Sequence, residues 1–309
     1  MLKKTLLLTS GLLIIFLSSI LTRVDRTPYK ALDFYKKSIH EINQLLTKNP
    51  SRSIGDTLLI GFARANLTPS ELAPLAGYGN RRPKEMTSVH DSIYVNTTVI
   101  NNGKNKIAIV SADLLIIPPE VTALLKEKLF NTGWSLPEVF LSATHTHSSL
   151  GGWAPGLVGN MIAGTYNAKY PEFIANQIVA SIQMAEKRLN TGAWSFNELS
   201  IPSLINNRLV GTQGITDPSL KLMALKSGMQ EGVHVFYGAH ATCLSGENKQ
   251  MSRDYPGVFS DWVVNHTPLD FAVYSAGAVA SMGPETGPKQ GFDRAQFMGE
   301  EMAKQVALI

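Results

Sequence analysis

A chain of 309 residues, 44% hydrophobic and 17% charged, can bury a substantial core, which excludes extended disorder over most of its length. Its formal charge of +4 is partly concentrated at Lys3, Lys4, Arg23 and Arg26, and no basic face interleaved with aromatics argues for nucleic acid as a partner. The single cysteine, Cys243, rules out an intrachain disulfide and a cysteine-rich zinc ribbon.

In chain order, Lys3-Lys4 followed by an apolar run from Thr5 to Thr22 reads as a targeting segment. No small-x-small cleavage site precedes Arg23-Val24-Asp25-Arg26, so residues 1–26 are expected to be an uncleaved signal-anchor with an exported body. A cleaved signal peptide and a secreted body are the other reading. Residues 27–55 predict a stalk or packing helix, and residues 56–309 a catalytic body. Within the body, Leu58–Ala63 predicts a strand. Ile93–Ile100 and Lys106–Val110 predict a hairpin closed by Asn101-Asn102-Gly103-Lys104-Asn105. Pro118-Pro119 opens a helix with Val121, Leu124, Leu125 and Leu129 at helical spacing, and a second helix is predicted over Pro171–Leu189. Short strands follow at Val139–Leu141, Ala193–Phe196, Leu220–Leu225, Val233–Tyr237 and Phe271–Tyr274, with a last helix near Arg294–Leu308. Alternating strands and helices with both hairpin and crossover connections predict an α/β fold: a mixed sheet with flanking helices, preceded by an N-terminal hydrophobic anchor helix.

Chemistry concentrates where apolar runs stop. After Val139-Phe140-Leu141 come His145 and His147, which a continuing strand would project to one side. After Val233–Tyr237 comes His240, and after Phe271–Tyr274 a small-residue loop carries Ser281. Arg208 follows Asn206-Asn207 in a polar turn. Polar strand ends converge in α/β folds, and a zinc held by His145 and His240 would keep positions open for water and substrate. An arginine nearby would bind a carboxylate or an oxyanion.

These residues resemble the catalytic domain of the neutral/alkaline, non-lysosomal ceramidases. Ser142–Gly152 is similar to the family's Ser-(Ala/Gly)-Thr-His-Thr-His-Ser-Gly-Pro-Gly-Gly signature, with Ser149 and Leu150 in place of Gly-Pro. Asn207-Arg208, Ala239-His240-Ala241-Thr242, Gly61–Pro69 and Ala76-Gly77-Tyr78-Gly79 resemble further family segments, so the likeness runs from about Gly61 to the end. The resemblance implies a zinc amidohydrolase that cleaves the N-acyl bond of ceramide or a related lipid amide. It implies His145 and His240 as zinc ligands, and His147, Arg208 and Ser281 as catalytic residues. Ser281 is matched to the family's Gly-Asp-Val-Ser-Pro-Asn, whose Asp and Pro are absent here. The family completes the zinc sphere with a glutamate and a tyrosine further downstream, which implies that this chain is a piece of a longer one. Otherwise Asp113, Asp254 or Glu285 substitutes for them. A zinc hydrolase of non-lipid amides or esters, and an inactive membrane-tethered binding domain, are the alternatives.

Overall fold

The run from Ile93 to Ile100 becomes a strand because β-branched side chains pack well on a pleated surface. It turns back on itself where Asn101 and Asn102 accept hydrogen bonds from the N–H groups of Gly103 and Asn105, both at 2.7 Å. The computed structural model describes residues 2–20, 27–48, 57–82 and 84–308. The chain divides into two units, residues 1–54 and 55–309.

In the first unit, α1 (Leu2–Ile20) and α2 (Asp33–Lys48) are helices. Among the described residues no helix is long and apolar enough to cross a membrane, so the structure lends the expected anchor helix no support. Arg23–Arg26 lie outside the described residues.

The second unit contains β1 (Leu59–Asn66), β2 (Ser88–Val89), β3 (Tyr94–Asn101), β4 (Lys106–Ala112), α3 (Pro119–Phe130), β5 (Val139–Ala143) and α4 (Gly156–Ala163). It continues with α5 (Lys169–Glu186), β6 (Asn190–Ser200), β7 (Ile205–Asn207), β8 (Ser219–Ser227), β9 (Gln230–Tyr237) and β10 (Gln250–Met251). The last elements are α6 (Asp254–His266), β11 (Phe271–Ala276), β12 (Met282–Pro284) and α7 (Gly291–Val306). One mixed sheet of eight strands runs in the order β11-β9-β8-β6-β1-β3-β4-β5. The pairs β4/β5 and β9/β11 are parallel and the remainder antiparallel. α5 packs on β1 and β3, with α3 against α5, and buries Ile174, Ile178 and Ile182. α6 and α7 cover the β11 side through Tyr255, Phe259, Val263, Met298 and Met302.

The sheet curls until its two margins meet. Ser111 on β4 donates to the Tyr274 carbonyl on β11 at 2.6 Å, and the hydroxyls of Ser142 on β5 and Ser275 on β11 are 2.7 Å apart. Phe62 on β1 stacks on Phe271 at 5.0 Å between ring centroids inside the curl. The C-terminal ends of β5, β9 and β11 thereby reach one place, where Ser142-Ser275 is continued by His234 Nε2, 2.7 Å from the Ser275 hydroxyl.

His234 is buried with its Nδ1 unpartnered, and burial pushes its pKa down to about 3. The unfolded chain takes up this proton near pH 6.5 and the folded chain only near pH 3. The contribution is therefore fully present above pH 6.5 and is lost, by about 1.4 kcal/mol per pH unit, as the pH falls towards 3. His234→Gln is expected to flatten the pH dependence of urea unfolding between pH 6 and 4 by about one proton, measured as the change in free energy with pH.

Candidate metal centre

The segments that follow β5 and β9, joined by the end of β7, build the centre. β5 stops at Ala143, and His145 takes a left-handed backbone, φ 62°, while its N–H bonds the Leu114 carbonyl at 3.0 Å. Strand alternation therefore does not align His145 and His147, because the chain turns between them. Three residues beyond β9, the N–H of His240 donates to the Met282 carbonyl at 3.1 Å.

The three Nε2 atoms converge. His145 and His240 are 3.0 Å apart, His147 and His240 2.9 Å, and His145 and His147 3.4 Å. Nitrogens bonded to one tetrahedral zinc at about 2.0–2.1 Å stand about 3.3 Å apart, so these donors fit such an ion. His145 Nδ1, 2.7 Å from the Leu115 carbonyl, donates its proton there and leaves Nε2 a lone pair. Burial, followed by the neighbouring imidazoles, pushes His147 down to about 2. Burial and then His145 lower His240 to about 4, and burial also lowers His145. At neutral pH the rings are thus uncharged, the state a metal requires. Among the described residues these three histidines form the group that could hold a metal, which places His147, expected as a catalytic residue, beside the two expected ligands.

Arg208 reaches the centre from the end of β7. Its Nη1 lies 2.8 Å from His240 Nδ1 and 3.4 Å from the Ala280 carbonyl. His240 Nδ1 is also 3.2 Å from the Val279 carbonyl. The two contacts of Nδ1 exclude one another as hydrogen bonds. Donation to Val279 leaves Nε2 with a lone pair, whereas acceptance from Arg208 puts the proton on Nε2. A metal on Nε2 selects the first arrangement and frees the guanidinium for an anionic oxygen.

Ser281 is exposed on the loop that presents the Val279 and Ala280 carbonyls, and its own carbonyl accepts the Arg208 N–H at 2.9 Å. No hydrogen bond joins its hydroxyl to the three imidazoles among the described residues. The carboxylates considered as substitutes are engaged elsewhere. Asp113 accepts the Tyr94 N–H at 2.9 Å, Asp254 the Leu244 N–H at 3.0 Å, and Glu285 bonds Asn206 at 2.8 Å.

Two residues that sequence reasoning passed over hold His147 in place. Arg81 is buried and donates to the His147 carbonyl at 2.8 Å and the Ala76 carbonyl at 3.0 Å. The Tyr78 ring packs 4.9 Å from the His147 ring, and its hydroxyl donates to the Leu244 carbonyl. Ala76-Gly77-Tyr78-Gly79 carried the only sequence hint, because Gly77 sits at φ 122° directly against His147.

The neutral ceramidase of Pseudomonas aeruginosa is 25% identical over 230 residues, which make up 68% of this chain and 34% of that enzyme. The crystal structure of neutral ceramidase from Pseudomonas aeruginosa matches 82% of this chain and 44% of its own, with a TM-score of 0.73 at 21% identity. A structure of ceramidase complexed with C2 matches the same shares, with a TM-score of 0.74 at 20% identity. The chain therefore spans about a third of the curated relative and less than half of the solved structures, which share its fold. Residues 58–281 match the model of the neutral/alkaline non-lysosomal ceramidase N-terminal region, and the chain belongs to that family.

Proposed function

We propose that this protein hydrolyses the N-acyl amide bond of ceramide or a related lipid amide at a zinc ion held by His145, His147 and His240. The convergence of three neutral imidazole nitrogens, none more than 3.4 Å from the others, carries the reading. When bound, such an ion lowers the pKa of its water to about 7 and polarises a carbonyl. Arg208, freed from His240 Nδ1, donates to the oxygen that gains charge as the amide is attacked. Leu115 and Val279 fix the ring orientations of His145 and His240 through their carbonyls, so the donors need little rearrangement. Ser281, exposed on the loop whose Val279 and Ala280 carbonyls meet His240 and Arg208, is placed to meet a substrate that reaches the arginine. A role as attacking group needs a base within hydrogen-bond reach, and the imidazoles do not supply one. Lys3-Lys4 ahead of the apolar α1 supports export of the protein.

The test is release of fatty acid from a fluorescent short-chain ceramide by the zinc-loaded chain, with a soluble N-acyl amide of equal chain length in parallel. Arg208→Ala is expected to lower kcat by about a hundredfold with little change in zinc content. Turnover of the soluble amide alone would remove the lipid from the proposal, and an unchanged kcat in Arg208→Ala would remove the arginine.

A further inference from the structure

We propose that a cleft beside the metal centre is a binding site for a phosphate-type anion. The cleft, about 680 Å³, lies between the turn carrying Asn80 and Arg82, the loop from Ser245 to Lys249, and the start of α7. Arg82, Lys249, Lys289 and Arg294 line it, and Glu247 is the one acid among its lining residues.

Three observations point to an anion. Arg294 is oriented by neutral acceptors, the Thr286 hydroxyl at 2.7 Å and the Pro284 carbonyl at 2.9 Å, and among the described residues Glu285 acts on it only beyond ion-pair distance. Gln290 and Gly291 line the cleft at the N-terminus of the 16-residue α7, where free N–H groups and the helix dipole favour negative charge. The cations are also crowded. Lys249 donates to the Arg82 carbonyl at 3.0 Å, and Lys84, buried behind them, is lowered to about 8 by burial and then by Arg81, Arg82 and Lys249. An anion with several oxygens relieves that repulsion and accepts from several donors at once. The cleft is distinct from the imidazole cluster but shares a wall with it. The carbonyl of Leu244, between the lining residues Cys243 and Ser245, accepts the hydroxyl of Tyr78, the ring that packs on His147.

The proposal does not depend on the amide substrate. Its test titrates the full chain with inorganic phosphate at constant ionic strength by calorimetry, and measures co-sedimentation with phosphatidylglycerol against phosphatidylcholine vesicles. The comparison is with Arg82→Ser/Lys289→Ser, both exposed positions, with circular dichroism and Lys289→Ser alone as folding controls. The expected result is saturable phosphate binding, weakened about tenfold in the double variant. Binding confined to phosphatidylglycerol vesicles, and reduced by the same substitutions, would name a lipid headgroup as the source of the same chemistry. Phosphate and vesicle binding that both fail, or that ignore the substitutions, would overturn the proposal.

Discussion

Replacing His240 with alanine is expected to give a folded protein that no longer retains stoichiometric zinc and hydrolyses its substrate about a thousandfold more slowly. Two imidazoles remain in that variant, and both follow β5. The donor supplied from the β9 end of the sheet is gone, along with its 3.0 and 2.9 Å approaches to His145 and His147. Catalytic zinc sites typically use three protein ligands, and the Lewis-acid contribution amounts to several kcal/mol of transition-state stabilisation. At about 1.4 kcal/mol for each factor of ten, its loss corresponds to about three orders of magnitude. Elemental analysis and kcat/KM on the same preparation decide the matter. Full zinc content with a rate within threefold of wild type would sink the metal reading altogether.

A single methyl group on Gly77 is expected to cost about 3–5 kcal/mol and to weaken zinc binding by about tenfold or more. The residue adopts φ 122°, where side chains other than glycine's are strained, and a Cβ there would stand 2.7 Å from both the Cβ and the carbonyl oxygen of His147. The obstruction cannot swing aside, because that carbonyl is clamped by the buried Arg81. Relief has to move either the turn before Tyr78 or His147 itself. Thermal unfolding should show a midpoint lowered by about 10 °C in Gly77→Ala. Gly79→Ala, two residues on, has open space around the new atom and is expected to stay within about 0.5 kcal/mol of wild type. Equal midpoints for the two variants would contradict the close packing.

Much of the scaffold was legible because its elements obey simple periodicities. The hairpin Tyr94–Ala112 was announced by β-branched residues around an Asn-Asn-Gly turn. α3 was announced by its leading prolines, and α5 by apolar residues on one face. α6 was missed because Pro256 and Gly257 near its start argue against a helix. Its buried stripe, Tyr255, Phe259 and Val263, shows only once β11 is there to receive it. α4 was hidden in the same way: Gly156 and Gly159 weaken its helical signal, and it follows the histidine motif directly. His145, His147, His240 and Arg208 stood out because each punctuates the end of an apolar or strand-like run. The His-x-His spacing suggested a metal pair, but not the route by which His147 reaches the other two rings, which depends on the left-handed turn at His145. Arg81 was equally opaque. A buried arginine that holds carbonyl oxygens looks, in sequence, like any solvated charge.

The seam between Ser142 and Ser275 also orders events during synthesis. His145 and His147 leave the ribosome with the β5 margin, which finds its partner β4 within a short stretch of chain. The opposite margin cannot be laid down until β9 and then β11 have emerged, and the third imidazole stands 95 residues from the first. Contacts of such long separation form late, since chain closure has to precede any reward from the contact itself. A nascent or truncated chain ending before β11 would carry all three histidines with nothing to draw them together. Competence to capture a metal would then arrive in one step, at closure of the seam, and would report that the whole sheet has been completed.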